Sequence, residues 1–357
     1  MINISEIDGD WLSQVSKRHG NADKILVEKV IRAFLLLEGL AKQQIPFVFK
    51  GGTSLMLHFE SIKRLSIDVD IILPISYINL DKKLDALTTE QGFIRYEPQL
   101  RSKTSGIKKA HYKLYYTPLH RTNKVEEYIL LDVLYEDVNY SKLVSLPIQS
   151  KFVPIEYEPI SISVPSMEDL LGDKLTAFAP NTTGIPYVKK GDSMGMEIIK
   201  QLYDIGKLFD AVINLEDIKT TFYRFAKTEI DYRLTEGISE LDVLNDIFQT
   251  ALCIVSRGAD GHGQFEVLQD GIGRIRPFIF SENYHIEKAI AHASKAAYLS
   301  MLIQLNAKEM EKFENPQQVI DWQIEKLKGS KLNRLKKSNP EAFFYWYHIY
   351  KIKEAEG

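Results

Sequence analysis

Between residues 23 and 42, apolar side chains recur at Ile25, Val27, Val30, Ile31, Phe34, Leu35 and Leu37. That is the three-to-four spacing of a broad helical face, with Asn21 or Asp23 placed to cap its start. The pattern then changes period. Residues 45–50 form an apolar and aromatic strand, broken by Gly51-Gly52, and Thr53-Ser54 lead into a short helix over 55–59. Residues 66–73 alternate as a second strand closed by Pro74, and 80–91 read as a helix ended by Gly92. Spacings of two over 108–117 and 127–135 predict two more strands, adjacent and antiparallel. Residues 152–164 are strand-like but carry Pro154 and Pro159, which predicts an edge position.

From Pro165 the period becomes helical. Ser166-Met167-Glu168-Asp169 resembles a capping box, and Pro180 ends the helix that follows it. A loop rich in Gly, Asn, Lys and Asp covers 181–195. Helices are expected over 196–209, 243–256, 286–304 and 316–327. The pattern predicts an α+β fold: a mixed sheet with flanking helices over 1–165, then an α-helical domain over 166–357.

Composition adds limits. The chain has 357 residues, 45% hydrophobic and 26% charged, enough for two ordinary domains with cores. Its net charge of −3, from 45 basic and 48 acidic residues, does not advertise a nucleic-acid binder, although a local basic patch is compatible with it. The single cysteine, Cys253, lies in an apolar stretch and is expected to be a buried, inert thiol. No basic region followed by an apolar run opens the chain, and no apolar run is long enough to span a membrane. A cytoplasmic protein is expected.

Three acids stand out against this background. Asp68 and Asp70, two apart on a predicted strand, project to one face. Like charges that close repel unless a cation sits between them, and Mg2+ (or Mn2+) takes oxygen ligands of this kind. Asp132 interrupts an otherwise apolar strand, where an unpaired carboxylate is costly. Pairing with Lys113 or Arg64 is one remedy, and a cation shared with Asp68 and Asp70 is another. Three carboxylates can hold two metal ions roughly 3.5–4 Å apart, the arrangement that serves phosphoryl transfer. Gly51-Gly52-Thr53-Ser54, at a strand-to-helix junction, offers backbone N–H groups, a helix N-terminus and two hydroxyls to a phosphate. Taken alone it also reads as an ordinary tight turn.

The order strand, Gly-Gly turn, helix, Asp-x-Asp strand, later strand with one acid is the layout of polymerase-beta-like nucleotidyltransferases. Five segments carry a closer likeness: Gly51-Gly52-Thr53-Ser54-Leu55, Arg64-Leu65-Ser66-Ile67-Asp68-Val69-Asp70, the Asp132 strand, Asp173-Lys174-Leu175-Thr176-Ala177-Phe178, and Lys200-Gln201-Leu202-Tyr203-Asp204-Ile205. On these the chain resembles the AbiEii/AbiGii nucleotidyl transferase toxins. The resemblance implies that Asp68 and Asp70 bind a metal–nucleotide complex, that Lys174 contacts the nucleotide phosphates, and that Asp204 belongs to the active site, so that the helical domain contributes to it. It further implies a toxin of a toxin–antitoxin or abortive-infection (phage-defence) system, an NTP substrate, an RNA acceptor such as a tRNA 3′ end, and a winged-helix antitoxin partner. Lys200 stands where the family often has arginine, which loses the guanidinium fork.

Other features have two readings each. Lys174, on an apolar helix, is either available to a triphosphate or a structural lysine, facing solvent or paired with Asp173 or Asp204. Lys189, Lys190 and Asp192 form either part of a lid or a plain loop. The basic tract Lys326, Lys328, Lys331, Arg334, Lys336, Lys337 is either an RNA contact or a solvated face. The aromatic run Phe343 to Tyr347 is expected in a core. Residues 257–274, with His262, are expected to be a glycine-rich loop without a metal. The rival functions are a small-molecule (aminoglycoside-type) nucleotidyltransferase, a catalytically silent nucleotide-binding module, and protein modification by nucleotide transfer.

Overall fold

The computed structural model describes residues 1–59, 63–77, 79–99, 108–120, 123–233, 237–325 and 331–356. The chain divides into two compact units, Met1–Ser166 with Pro277–Asn283, and Met167–Arg276 with Tyr284–Gly357. The short return of Pro277–Asn283 to the first unit leaves no periodicity in the sequence. It is tied there by Leu65 N–H donating to Phe278 O at 2.7 Å and by the Ser281 hydroxyl donating to Lys63 O at 2.6 Å.

The first unit contains α1 (Gly9–Arg18), α2 (Lys24–Lys42), β1 (Val48–Lys50), α3 (Gly51–His58), β2 (Val69–Leu73), α4 (Leu80–Glu90), β3 (Arg95–Pro98), β4 (Lys108–Tyr116), β5 (Glu127–Tyr135), β6 (Leu143–Pro147) and β7 (Ser161–Pro165). Its seven strands form one mixed sheet in the order β3-β4-β5-β2-β1-β7-β6. β2 runs parallel to β5, and β1 parallel to β7. The other neighbours are antiparallel, including β4 with β5 as the alternation predicted. Asp23 caps α2, accepting from the N–H of Ile25 at 2.8 Å and of Leu26 at 3.1 Å. α2 packs against β2, β5 and α4 and buries nearly its whole length. Two acids are carried inward with it. Glu28 accepts from the N–H of Leu119 at 2.7 Å and of His120 at 3.2 Å, and Glu38 accepts from Ile2 N–H at 2.7 Å. On the same side of the sheet lie Ile129, Leu131 and Val133 of β5 and Tyr112, Leu114 and Tyr116 of β4, all buried. Each such side chain contributes about 1.5–3 kcal/mol by leaving water. The alternate residues of β4 and β5 face the opposite side and are partly exposed.

Several expectations are corrected. β7 is interior, between β1 and β6, and the edge belongs to β6, which the alternation did not isolate. Pro154 and Pro159 precede β7, so they remove no ladder donor from it. β1 begins at Val48 and β2 at Val69, so Asp68 lies just ahead of its strand. α3 begins at Gly51, so the two glycines form its first turn instead of preceding it.

The second unit contains α5 (Met167–Ala177), a hairpin of β8 (Val188–Lys189) and β9 (Asp192–Ser193), α6 (Gly195–Ala211), α7 (Leu215–Arg233), α8 (Glu240–Ser256), α9 (Phe265–Arg274), α10 (Ile286–Gln304), α11 (Leu335–Ser338) and α12 (Pro340–Glu356). The 181–195 loop thus holds a hairpin, turned by Lys190 and Gly191 at φ of +54° and +88°. Within 257–274, expected as loop, α9 forms because Gly271 lets it approach α6. A Cβ there would collide with the backbone of Gly195. Residues 316–327 are not one helix. A 3-10 turn covers Pro316–Val319, and residues 326 and 327 lie outside the described residues. Phe343, Phe344, Tyr345 and Trp346 are buried in the core, as expected, with Trp346 Nε1 donating to Ser294 Oγ at 3.0 Å. Among the described residues no helix is long and apolar enough to cross a membrane.

α10 packs against α6, α8 and α12, and its alanines and serines allow close approach. His292 of α10 lies flat against Gly206 of α6, where a Cβ would strike its ring. Burial first, then the charges of Lys295, Lys207 and Lys288, hold His292 well below the usual imidazole range. The folded protein therefore keeps it neutral, while the unfolded chain takes up a proton near pH 6.5. Stability from this group is complete above that pH and falls by about 1.4 kcal/mol per unit as the pH drops below it. Urea titrations at pH 7.5, 6.5 and 5.5 are expected to show the decline, and His292→Gln is expected to flatten it.

Candidate active site

The turn from β1 into α3 is shaped by what its glycines accommodate. Gly51 has φ of +78°, and a Cβ on it would collide with Asp70 Oδ2. A Cβ on Gly52 would fall 2.5 Å from Arg64 Nη2 and 3.0 Å from Ser66 Oγ. An acid and a guanidinium are thus packed against bare backbone at a helix N-terminus. Lys50, the N-cap residue, makes no side-chain capping bond, so the first-turn N–H groups of α3 are not met from that position. The Thr53 and Ser54 hydroxyls, expected for a phosphate, are buried and used inside the fold. Thr53 donates to Asp68 O at 2.5 Å, and Ser54 donates to Gly51 O at 2.8 Å. What this turn can offer an anion is its backbone and the helix dipole.

Register assembles the rest. Lys50 pairs with Asp70, Asp70 with Asp132, and Asp132 with His111, so one polar row crosses β1, β2, β5 and β4. Paired residues on neighbouring strands share a face about 4.8 Å apart. Asp70 and Asp132 are therefore side by side, a repulsive placement that a cation between them relieves. Asp68 enters just upstream, its carbonyl fixed by Thr53. Asp132 does not depend on Lys113 or Arg64. His111 Nδ1 lies 2.5 Å from its Oδ1, with the two side chains 14% and 34% exposed. Lys113 lies instead over the Tyr128 ring at 4.5 Å, and Arg64 Nη1 donates to Leu65 O at 3.0 Å.

Among the described residues no three His, Cys, Asp or Glu side chains form a ready-made metal cage. Two paired carboxylates with a third nearby suit a cation that takes its remaining oxygens from a bound triphosphate and water. The space left by the missing Cβ of Gly51 lets Asp70 stand at the helix N-terminus where such phosphates would lie. His111 was not singled out in the sequence. The alternation over 108–117 does place it on the face opposite Tyr112 and Leu114, but pairing it with Asp132 requires the register.

Lys174 and Asp204 belong to the second unit. They form an ion pair at 2.8 Å with side chains only 6% and 2% exposed, and Lys174 also donates to Gln201 Oε1 at 3.2 Å. The pairing with Asp204 is observed, and Lys174 is buried where a solvent-facing side chain was one expectation. Lys200, at the family's arginine position, pairs with Glu197 at 3.1 Å. Lys189, Lys190 and Asp192 are exposed on the hairpin. In the basic tract, Lys326 and Lys328 lie outside the described residues. Lys336 donates to the carbonyls of Ile320 and Trp322 at 3.0 and 2.9 Å, and Lys331 lies 3.9 Å from Asp260. Burial pushes the Cys253 thiol above its usual range, consistent with an inert side chain.

A search of curated proteins finds no match for the chain. Among solved structures it is similar to JHP933 from Helicobacter pylori, with 15% identity, covering 78% of this chain and 90% of that one at a TM-score of 0.41. It is also similar to MenT4, a nucleotidyltransferase toxin from Mycobacterium tuberculosis, with 15% identity, covering 82% and 89% at a TM-score of 0.46. The family model described as nucleotidyl transferase AbiEii toxin, type IV toxin–antitoxin system, matches residues 35–310, well over half of the chain. That span contains the Gly-Gly turn, the acid row and the Lys174–Asp204 pair, and the chain belongs to the AbiEii family of nucleotidyl transferase toxins.

Proposed function

We propose that this toxin moves a nucleoside monophosphate from an NTP to a hydroxyl of an RNA acceptor, with a tRNA 3′ end as the first candidate, in a Mg2+-dependent reaction in the cytoplasm. The supporting observation is the in-register Asp70–Asp132 pair set against the Cβ-less N-terminus of α3. Asp70 and Asp132, with Asp68, would hold Mg2+ or Mn2+. Bound there, the ion supplies positive charge at the triphosphate and at the attacking oxygen. The Gly51 and Gly52 end of α3 receives phosphate oxygens through backbone N–H groups. Asp132 either helps hold a second ion or accepts the proton of the acceptor hydroxyl as that oxygen bonds to the α-phosphorus and pyrophosphate leaves. Lys174 as a phosphate contact and Asp204 as its partner enter this reading through the family resemblance. The inhibiting partner is proposed to be a winged-helix antitoxin.

Incubation with α-labelled NTPs and total tRNA tests the reading, with Asp70→Asn as comparison. Loss of several kcal/mol of transition-state stabilisation corresponds to about 10²–10⁴-fold less labelling. Equal labelling by both proteins would remove Asp70 from the mechanism. Labelled NTP consumed with no label on RNA would point to another acceptor.

A further inference from the structure

The polar row contains a member that the proposed reaction has not used. We propose that His111 is a positioning residue that fixes the Asp132 carboxylate; the proposal rests on the functional reading above. His111 stands directly opposite Asp132 on the antiparallel neighbour, and its Nδ1 lies 2.5 Å from Oδ1. A contact that short to a carboxylate oxygen is a hydrogen bond with the ring nitrogen as donor, which assigns the proton to Nδ1. β4 itself cannot shift freely, because Tyr112 and Leu114, on either side of Lys113, are buried in the core.

The need for such a partner follows from the neighbours. Asp70 and Asp132 are adjacent like charges, and a terminal carboxylate torsion is broad when nothing holds it. β2 and β4 flank β5 on opposite sides, so His111 holds Asp132 from the side away from Asp70. One carboxylate oxygen is occupied and the other is left for a ligand. Histidine–carboxylate contacts of this kind orient the groups that bind metals, and their loss typically costs about 10–100-fold in affinity or activity.

Two amides of different length test the assignment. In His111→Asn the amide nitrogen falls near the place of Nδ1, whereas in His111→Gln it falls near that of Nε2. The readouts are calorimetric titration with Mn2+ alone, steady-state transfer kinetics, and thermal melting. His111→Gln is expected to weaken Mn2+ binding and lower kcat by about 10–100-fold, while KM for the NTP stays within about threefold. His111→Asn is expected to recover most of both losses at a similar melting temperature. A Gln variant equal to an active wild type overturns the positioning role and leaves the functional reading standing. So do Asn and Gln variants equally impaired, with melting temperatures lowered together. Wild-type protein that neither binds Mn2+ nor transfers nucleotide overturns the functional reading and the role built on it.

Discussion

Gly51→Ala is expected to fold and to lose nucleotidyl transfer by about 10²-fold or more, the cost of displacing a reacting group by roughly 1 Å. Two independent features act at this position. The residue sits at φ of +78°, where an L side chain costs about 1–2 kcal/mol. The new Cβ would also occupy the place of Asp70 Oδ2, so either the carboxylate turns away or the start of α3 moves. Both responses disturb the acid row and the helix N-terminus together, while the core beneath, built on α2 and the buried face of β4 and β5, is untouched. Gly273→Ala is the control. It lies in α9 at ordinary φ with nothing within 4 Å of the added carbon, and stability there is expected to be unchanged or raised by about 0.5–1 kcal/mol. Transfer assays and urea melts of the two variants separate the effects. A Gly51→Ala protein as active as wild type would show that the Asp70 carboxylate is not held by that turn.

Lys174→Met is expected to cost about 3–5 kcal/mol, because it breaks a buried ion pair by removing one of its charges. With side chains 6% and 2% exposed, the pair has little access to water that could replace the lost partner. Removing both charges is a different matter. The double variant Lys174→Met/Asp204→Leu is expected to regain most of the loss, since apolar pairs of similar volume often match a buried ion pair. Urea denaturation of the single and double variants measures the coupling. The same double variant tests whether the pair serves the reaction or only the fold. A stable but inactive protein supports a role of the pair in the reaction, and a stable, active one reduces the pair to a structural bond in the second unit.

Much of the fold was legible where one face of an element is buried. α2, β4, β5, α6 and α10 all carry a sustained apolar period, and each forms close to its predicted limits. Among the elements missed, some are short and one depends on a partner. β3 and β6 are strands of four and five residues at the two edges of the sheet. α9 depends on Gly271 meeting Gly195, a contact 76 positions apart in the chain that no local pattern signals. The fate of the Thr53 and Ser54 hydroxyls was also hidden, because their acceptors are carbonyls defined only once the backbone is folded.

The sequence by itself determined the change from strands to helices near Pro165, the Gly-Gly turn, and the presence of three acids on or beside apolar strands. These follow from side-chain period and from the cost of burying charge, both local properties. Only the tertiary structure decided that Asp70 and Asp132 are neighbours on parallel strands, that His111 faces Asp132, and that Lys174 is bound to Asp204. Strand order and register are set by which faces pack together across the whole sheet. A shift of one residue along its strand would turn Asp70, Asp132 or His111 to the other side of the sheet.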